Sequence, residues 1–199
     1  MVYDVIMSIC MNISLLIVLA LMLTKIEFVK VLLLNGEEER NDRKTGTRKV
    51  RNQLVLGGIF GIFCVISDYI GIQVEGALPN ARVIGVLSAG FLGGPVSGMT
   101  TAVIASIHRY LIFPERISTL ACVLAAILHG VIGSWIGYAK KDNRQYSNWF
   151  LLVSTFVAEA IHMILILILT RPFNEALVIV KIVLVPMDEA MRGSADALR

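Results

Sequence analysis

The chain has 199 residues, 56% of them hydrophobic and only 17% charged, with a formal net charge of +3 and a mean hydropathy of +0.76. A soluble domain carries about a quarter charged residues, and a water-soluble fold of this length buries only ~70% of its surface. Lipid is therefore the expected solvent. The basic residues fall in two short clusters without aromatic interleaving, which excludes a nucleic-acid surface. No Walker, GxSxG or HExxH motif occurs, so no catalytic domain is expected within these residues.

Residues 6–34 are apolar apart from Lys25, Glu27 and Lys30, enough for one span with an interfacial end. Asp4, the lack of a basic n-region and the lack of a small-residue cleavage site make this a retained anchor, not a removable signal peptide. The stretch 35–52 gathers Arg40, Arg43, Lys44, Arg48, Lys49 and Arg51, and the positive-inside rule makes it a cytoplasmic loop. A second helix over 53–70 leads outward, and 71–81 lies outside.

The uncharged run between Arg82 and His108 is interrupted by Gly93-Gly94-Pro95. Proline removes a helical N–H and pushes the preceding residue out of helical geometry, so a break is expected there. Broken, the run gives short helices over 82–92 and 96–110, the first only ~17 Å long against a core of ~30 Å. A re-entrant hairpin returns Arg82 and Arg109 to one side of the membrane; a kinked full span separates them. The hairpin also delivers the second basic patch, Lys140, Lys141 and Arg144, to the cytoplasmic side after a helix over 118–138. Lipid tolerates such a break only where protein encloses it.

A helix over 149–169 follows, with Tyr146 and Trp149 as interfacial aromatics, and Arg171-Pro172 turns the chain. The last apolar stretch, 176–187, holds Lys181 and Pro186 and gives way to a polar tail. The expected architecture is all-α: a polytopic helical membrane protein of about five to six spans including a broken half-helix hairpin. Residues 1–187 form the transmembrane domain, and 188–199 a cytoplasmic tail that begins a linker or marks a truncation.

Small residues recur every four positions, at Gly90, Gly94 and Gly98 and at Gly133 and Gly137, with Gly130 and Ser134 one face around. Such ladders let helices approach closely in lipid, within one chain or across a dimer face. Ionisable residues at membrane depth are functional candidates. Arg82 and Arg109 on one side of the membrane describe an anion site, because guanidinium forks match carboxylate or phosphate; the plainer reading is two interfacial arginines snorkelling to headgroups. Asp68 either pairs with an arginine or faces water. His129 and His162 read as buried neutral histidines bonded to backbone carbonyls, or as proton switches. Glu159 shares a helix face with His162 and suits a structural contact to a neighbouring helix, since one such pair supplies too few ligands for a di-metal site. Cys10, Cys64 and Cys122 are odd in number and lack metal-ligand spacing, so neither a disulfide framework, a metal nor a cofactor is expected.

An ordered set of motifs runs along the chain: Gly-Ala-Leu-Pro-Asn-Ala-Arg-Val-Ile-Gly over 76–85, Gly93-Gly-Pro95, Ile107-His-Arg-Tyr110, Leu120-Ala-Cys122, Ala158-Glu-Ala160 with Met163, Arg171-Pro-Phe173 and Val185-Pro-Met187. This series resembles the membrane sensor region of LytS-type bacterial sensor histidine kinases, the five-transmembrane receptor of the LytS-YhcK type. The resemblance implies a multi-pass protein of the bacterial inner membrane that binds a small extracellular carboxylate such as pyruvate. It implies a homodimer, and signalling through a cytoplasmic kinase module to a response regulator controlling autolysis, cell-wall or carboxylate-uptake genes. The ligand positions it implies are Arg82, Arg109 and Cys122, with Asn80 and His108 beside them and Gly93, Gly94 and Pro95 as hinge. Ala125 stands where the family's pattern has a serine. Two other readings remain: the substrate-binding membrane component of an energy-coupling-factor-like transporter, and a purely structural anchor.

Overall fold

A computed structural model describes residues 2–27, 29–31, 46–70, 82–114, 118–139, 148–174, 176–178 and 180. Among them regular structure is entirely helical: α1 Val2–Lys25, α2 Gly46–Ile70, α3 Arg82–Gly93, α4 Pro95–Ile112, α5 Thr119–Ala139 and α6 Asn148–Leu169. Asn80, the segment 71–81, the basic residues Arg40, Arg43, Lys44, Lys140, Lys141 and Arg144, and residues 181–199 lie outside the described residues.

Two stretches, Val50–Ile70 and Thr119–Tyr138, are long and apolar enough to cross a membrane, spanning about 30 Å each by helical rise. The side-chain distribution is that of a protein solvated by lipid. Ile62, Leu111, Leu120, Trp135 and Ile168 are all more than half exposed, whereas Asp68, Arg82, Thr101, Arg109 and His129 are buried. Charged and polar groups are buried while many large apolar groups are exposed, as expected for a bundle whose surroundings are hydrocarbon. The fold is a polytopic helical membrane protein.

The second helix begins at Gly46, not near residue 53. Arg48, Lys49 and Arg51 therefore stand on α2 rather than in a basic loop. Arginine and lysine are good helix formers, so the first apolar residue marks where the membrane begins, not where the helix does.

The Gly-Gly-Pro break is a hairpin. α3 ends at Gly93, Gly94 has φ 89° and ψ −177°, and Pro95 opens α4. That backbone region is essentially reserved for glycine. Neighbouring helices bond the backbone around the break: the Val96 N–H, left without a partner at the start of α4, donates to Gln53 Oε1 of α2 at 3.0 Å, and the Ser134 hydroxyl of α5 donates to the Pro95 carbonyl at 3.0 Å. Gly94 itself is buried, in keeping with the enclosure by protein under which a membrane tolerates broken backbone.

Glycines allow the hairpin to close. A Cβ on Gly98 would lie 2.7 Å from Gly90 Cα, and one on Gly133 would lie 2.8 Å from the Leu87 carbonyl oxygen. The small-residue ladder is therefore spent within the chain, locking α3 against α4 and α5. On the other side Leu56, Phe60 and Phe63 of α2 form a core with Val86 and Ala89 of α3 and Ala102 and Ala105 of α4, to which Leu15 and Leu19 of α1 add.

Candidate anion-binding site

Closing the hairpin brings the first residue of α3 and the last turn of α4 beside the C-terminal turn of α2. Arg82 Nη1 lies 3.6 Å from Asp68 Oδ1, and Arg109 Nη1 lies 3.7 Å from the same oxygen. The three residues are 3%, 1% and 2% exposed for Arg82, Arg109 and Asp68. A straight helix over the 27 positions between the arginines would hold them ~40 Å apart, so their convergence on one atom decides for the hairpin against the kinked span.

The burial corrects two plainer expectations. A snorkelling arginine keeps its head in water or among headgroups, which neither arginine does. Asp68 does not face water; its carboxylate is wholly enclosed between two guanidinium groups. Uncompensated charges at this depth would cost several kcal/mol each, so the trio persists because each charge has an opposite neighbour.

Local structure explains the placement. Arg109 lies in the last turn of α4, where a cation meets the negative end of the helix. Its guanidinium also rests 5.3 Å from the Phe113 ring centroid, a cation–π distance. Arg82 is the first residue of α3, at a positive helix end that disfavours it; Asp68 offsets that repulsion.

The site extends through Cys122, in the first turn of α5. Arg82 Nη2 donates to the Cys122 carbonyl at 3.4 Å, and Arg109 Nη2 points at Cys122 Sγ, 4.0 Å away. Helix N-termini favour anions, so the beginnings of α3 and α5 both add positive potential where the guanidinium groups converge. Cys122 also faces His162 of α6, and His162 Nδ1 lies 3.5 Å from Glu159 Oε1. Ala125, one turn beyond Cys122, is buried and brings no polar group.

Of the ligand positions expected from sequence, Arg82, Arg109 and Cys122 come together. His108 reaches the same cluster through Asp68: its Nδ1 lies 3.3 Å from Asp68 Oδ2 and its Nε2 lies 3.2 Å from the Tyr69 hydroxyl. It meets the Asp68 oxygen opposite the one on which the arginines converge. Of the two histidines read as bonded to backbone carbonyls or as proton switches, His129 makes the carbonyl contact, with Nε2 3.0 Å from the Ala158 carbonyl oxygen, so that Nε2 carries the proton, whereas His162 lies against Glu159. Glu159 pairs with His162 on its own helix, and no group of three metal-ligating side chains occurs among the described residues.

Sequence reasoning did not fix the role of Asp68, the support from Tyr69, or the approach of His162 to Cys122. One signal was available. Asp68 is the only carboxylate within α2 to α5, and a lone acid at that depth calls for a partner.

With this geometry in hand, likeness to known proteins is informative. The model of the 5TMR of 5TMR-LYT matches residues 41–188, most of the chain and every residue of the arginine site. The chain belongs to the 5TMR-LYT family. The 5TMR-LYT chain is 33% identical over 153 residues to the sensor protein LytS of Bacillus anthracis, covering 68% of this chain and 25% of that protein. It is 45% identical over 83 residues to the sensor histidine kinase YpdA of Escherichia coli K12, covering 42% of this chain and 15% of that one. With the sensor histidine kinase BtsS of the same organism it shares 29% over 133 residues, 65% of this chain and 23% of BtsS. The aligned region thus spans about a quarter or less of the length of these relatives. No solved structure matches the chain.

Proposed function

We propose that this 5TMR-LYT chain is the ligand-sensing membrane domain of a sensor histidine kinase, and that it binds a small extracellular carboxylate such as pyruvate between Arg82 and Arg109. The observation that carries this reading is the convergence of both buried guanidinium groups on a single carboxylate oxygen, that of Asp68. Guanidinium groups that converge on one carboxylate present further N–H donors suited to a second. Cys122 contributes its helix N-terminus and a thiol at the edge of the same group.

Signalling follows if the ligand binds two packings of the bundle unequally. The mobile joint is the Gly94 hinge, latched by Gln53 and Ser134, and the ligand ties the two ends of the hairpin to α5. In this reading the protein works as a homodimer in the bacterial cell membrane. Its kinase module drives a response regulator that controls cell-wall or carboxylate-uptake genes. The names of two relatives, both sensor histidine kinases, support the kinase part of this reading.

Calorimetric titration of pyruvate into the chain in lipid nanodiscs tests the reading. Wild type binds, and Arg82→Ala and Arg109→Ala each lose at least tenfold in affinity while retaining their helical circular dichroism. Equal affinity in all three proteins sinks the clamp.

A further inference from the structure

We infer that His162 of α6 is a further ligand contact of this site, one that reads an oxygen on the carbon next to the carboxylate and so selects 2-oxo or 2-hydroxy acids over plain monocarboxylates. The inference rests on the carboxylate reading above and adds to it the residue that recognises the rest of the ligand.

Packing carries the imidazole to the edge of the arginine cluster. One turn before it, Ala158 shares a core with Val83 and Leu87 of α3, and Val83 directly follows Arg82. Beside it, Met163 shares a core with Ala121 of α5, the residue before Cys122. His162 thus stands where α6 meets the beginnings of both α3 and α5. Cys122 links the two groups: Arg109 Nη2 points at its Sγ, 4.0 Å away, and its thiol faces His162.

The ring has bonding capacity to spare. His162 is only 8% exposed, yet neither of its ring nitrogens completes a hydrogen bond among the described residues. Glu159 Oε1 stands 3.5 Å from Nδ1, and the Cys122 thiol is a weak partner. His129 shows the contrast in the same place: its ring lies edge to face with that of His162, 5.8 Å between centroids, but its Nε2 donates to the Ala158 carbonyl. A buried imidazole without a strong partner is costly and calls for a reason. An oxygen beside the ligand's carboxylate supplies one, since an imidazole nitrogen donates to a keto oxygen or accepts from a hydroxyl. A methylene at that position offers it nothing, and sites built to bond a polar group discriminate against ligands that lack it.

Pyruvate and propionate make the test: both are monoanions at neutral pH, nearly equal in size, and they differ at the carbon beside the carboxylate. Each is titrated calorimetrically into wild type, His162→Leu and His162→Gln in nanodiscs. Wild type should bind pyruvate more tightly than propionate by at least tenfold, about 1.4 kcal/mol. His162→Leu should cut that ratio about fivefold or more, the worth of one hydrogen bond, chiefly by weakening pyruvate. His162→Gln, whose amide both donates and accepts, should keep part of the preference. A purely structural histidine would weaken both anions alike and leave their ratio unchanged. The inference is overturned if wild type binds propionate as tightly as pyruvate, an arm that needs no variant to fold, or if His162→Leu keeps the wild-type ratio. Should wild type bind pyruvate while either of these outcomes occurs, only the role of His162 falls. If wild type binds neither anion, the carboxylate reading falls and this inference with it.

Discussion

Arg82 and Arg109 are 27 positions apart in the chain, yet their Nη1 atoms lie 3.6 and 3.7 Å from one oxygen of Asp68. Everything between them, two short helices and a Gly-Gly-Pro break, serves to bring these two side chains to the same place.

The hinge comes first. Gly94 occupies a backbone region open in practice only to glycine, so Gly94→Ala should cost about 1–3 kcal/mol of stability. Gln53→Leu removes the acceptor of the part-buried Val96 N–H and should cost about 1 kcal/mol, the net worth of such a hydrogen bond. Thermal unfolding followed by circular dichroism in nanodiscs reads both, and an unchanged midpoint for Gly94→Ala contradicts the hairpin geometry.

The helix ladder gives a matched pair. Gly133→Ala drives a Cβ to within 2.8 Å of the Leu87 carbonyl oxygen, whereas a Cβ on Gly58 meets nothing within 4 Å. Gly133→Ala should lower stability by about 1–3 kcal/mol, as overpacking does. Gly58→Ala should leave it unchanged or raise it slightly, because glycine is the weaker helix former. Equal melting points for the two variants would show that α3 and α5 do not approach as closely as described.

His129 has a structural role, donating from Nε2 to the Ala158 carbonyl. His129→Leu should cost about 1–3 kcal/mol in stability, whereas His129→Gln, which can still donate, should cost less. Neither should change carboxylate affinity beyond what lost folding explains. A selective loss of binding at full stability would move His129 into the ligand site.

Much of this was legible in the sequence, and the reasons differ from residue to residue. The hairpin could be read because proline and glycine act locally: a missing N–H and a positive φ break a helix wherever they occur. Arg82 and Arg109 stood out because charge is rare in such surroundings. For Asp68 the sequence left two readings open, an arginine partner or water, because nothing in its spacing from Arg82 or Arg109 encodes the crossing of α2 with the hairpin; the three-dimensional approach decides for the arginines. His108 illustrates the reverse. Its neighbour Arg109 meets one oxygen of Asp68, but successive residues on a helix point about 100° apart, so His108 meets the other.

The central claim is that both arginines grip the same carboxylate, and a double-mutant cycle measures it most directly. Arg82→Lys and Arg109→Lys keep the charge but lose the planar fork, and pyruvate affinity is determined for wild type, each single variant and the double. If both forks hold one ligand, each single substitution weakens binding at least tenfold, and the double loses less than the two combined, with a coupling of about 1 kcal/mol or more. Losses that add to within about 0.5 kcal/mol, or single variants that bind like wild type, would contradict a shared clamp.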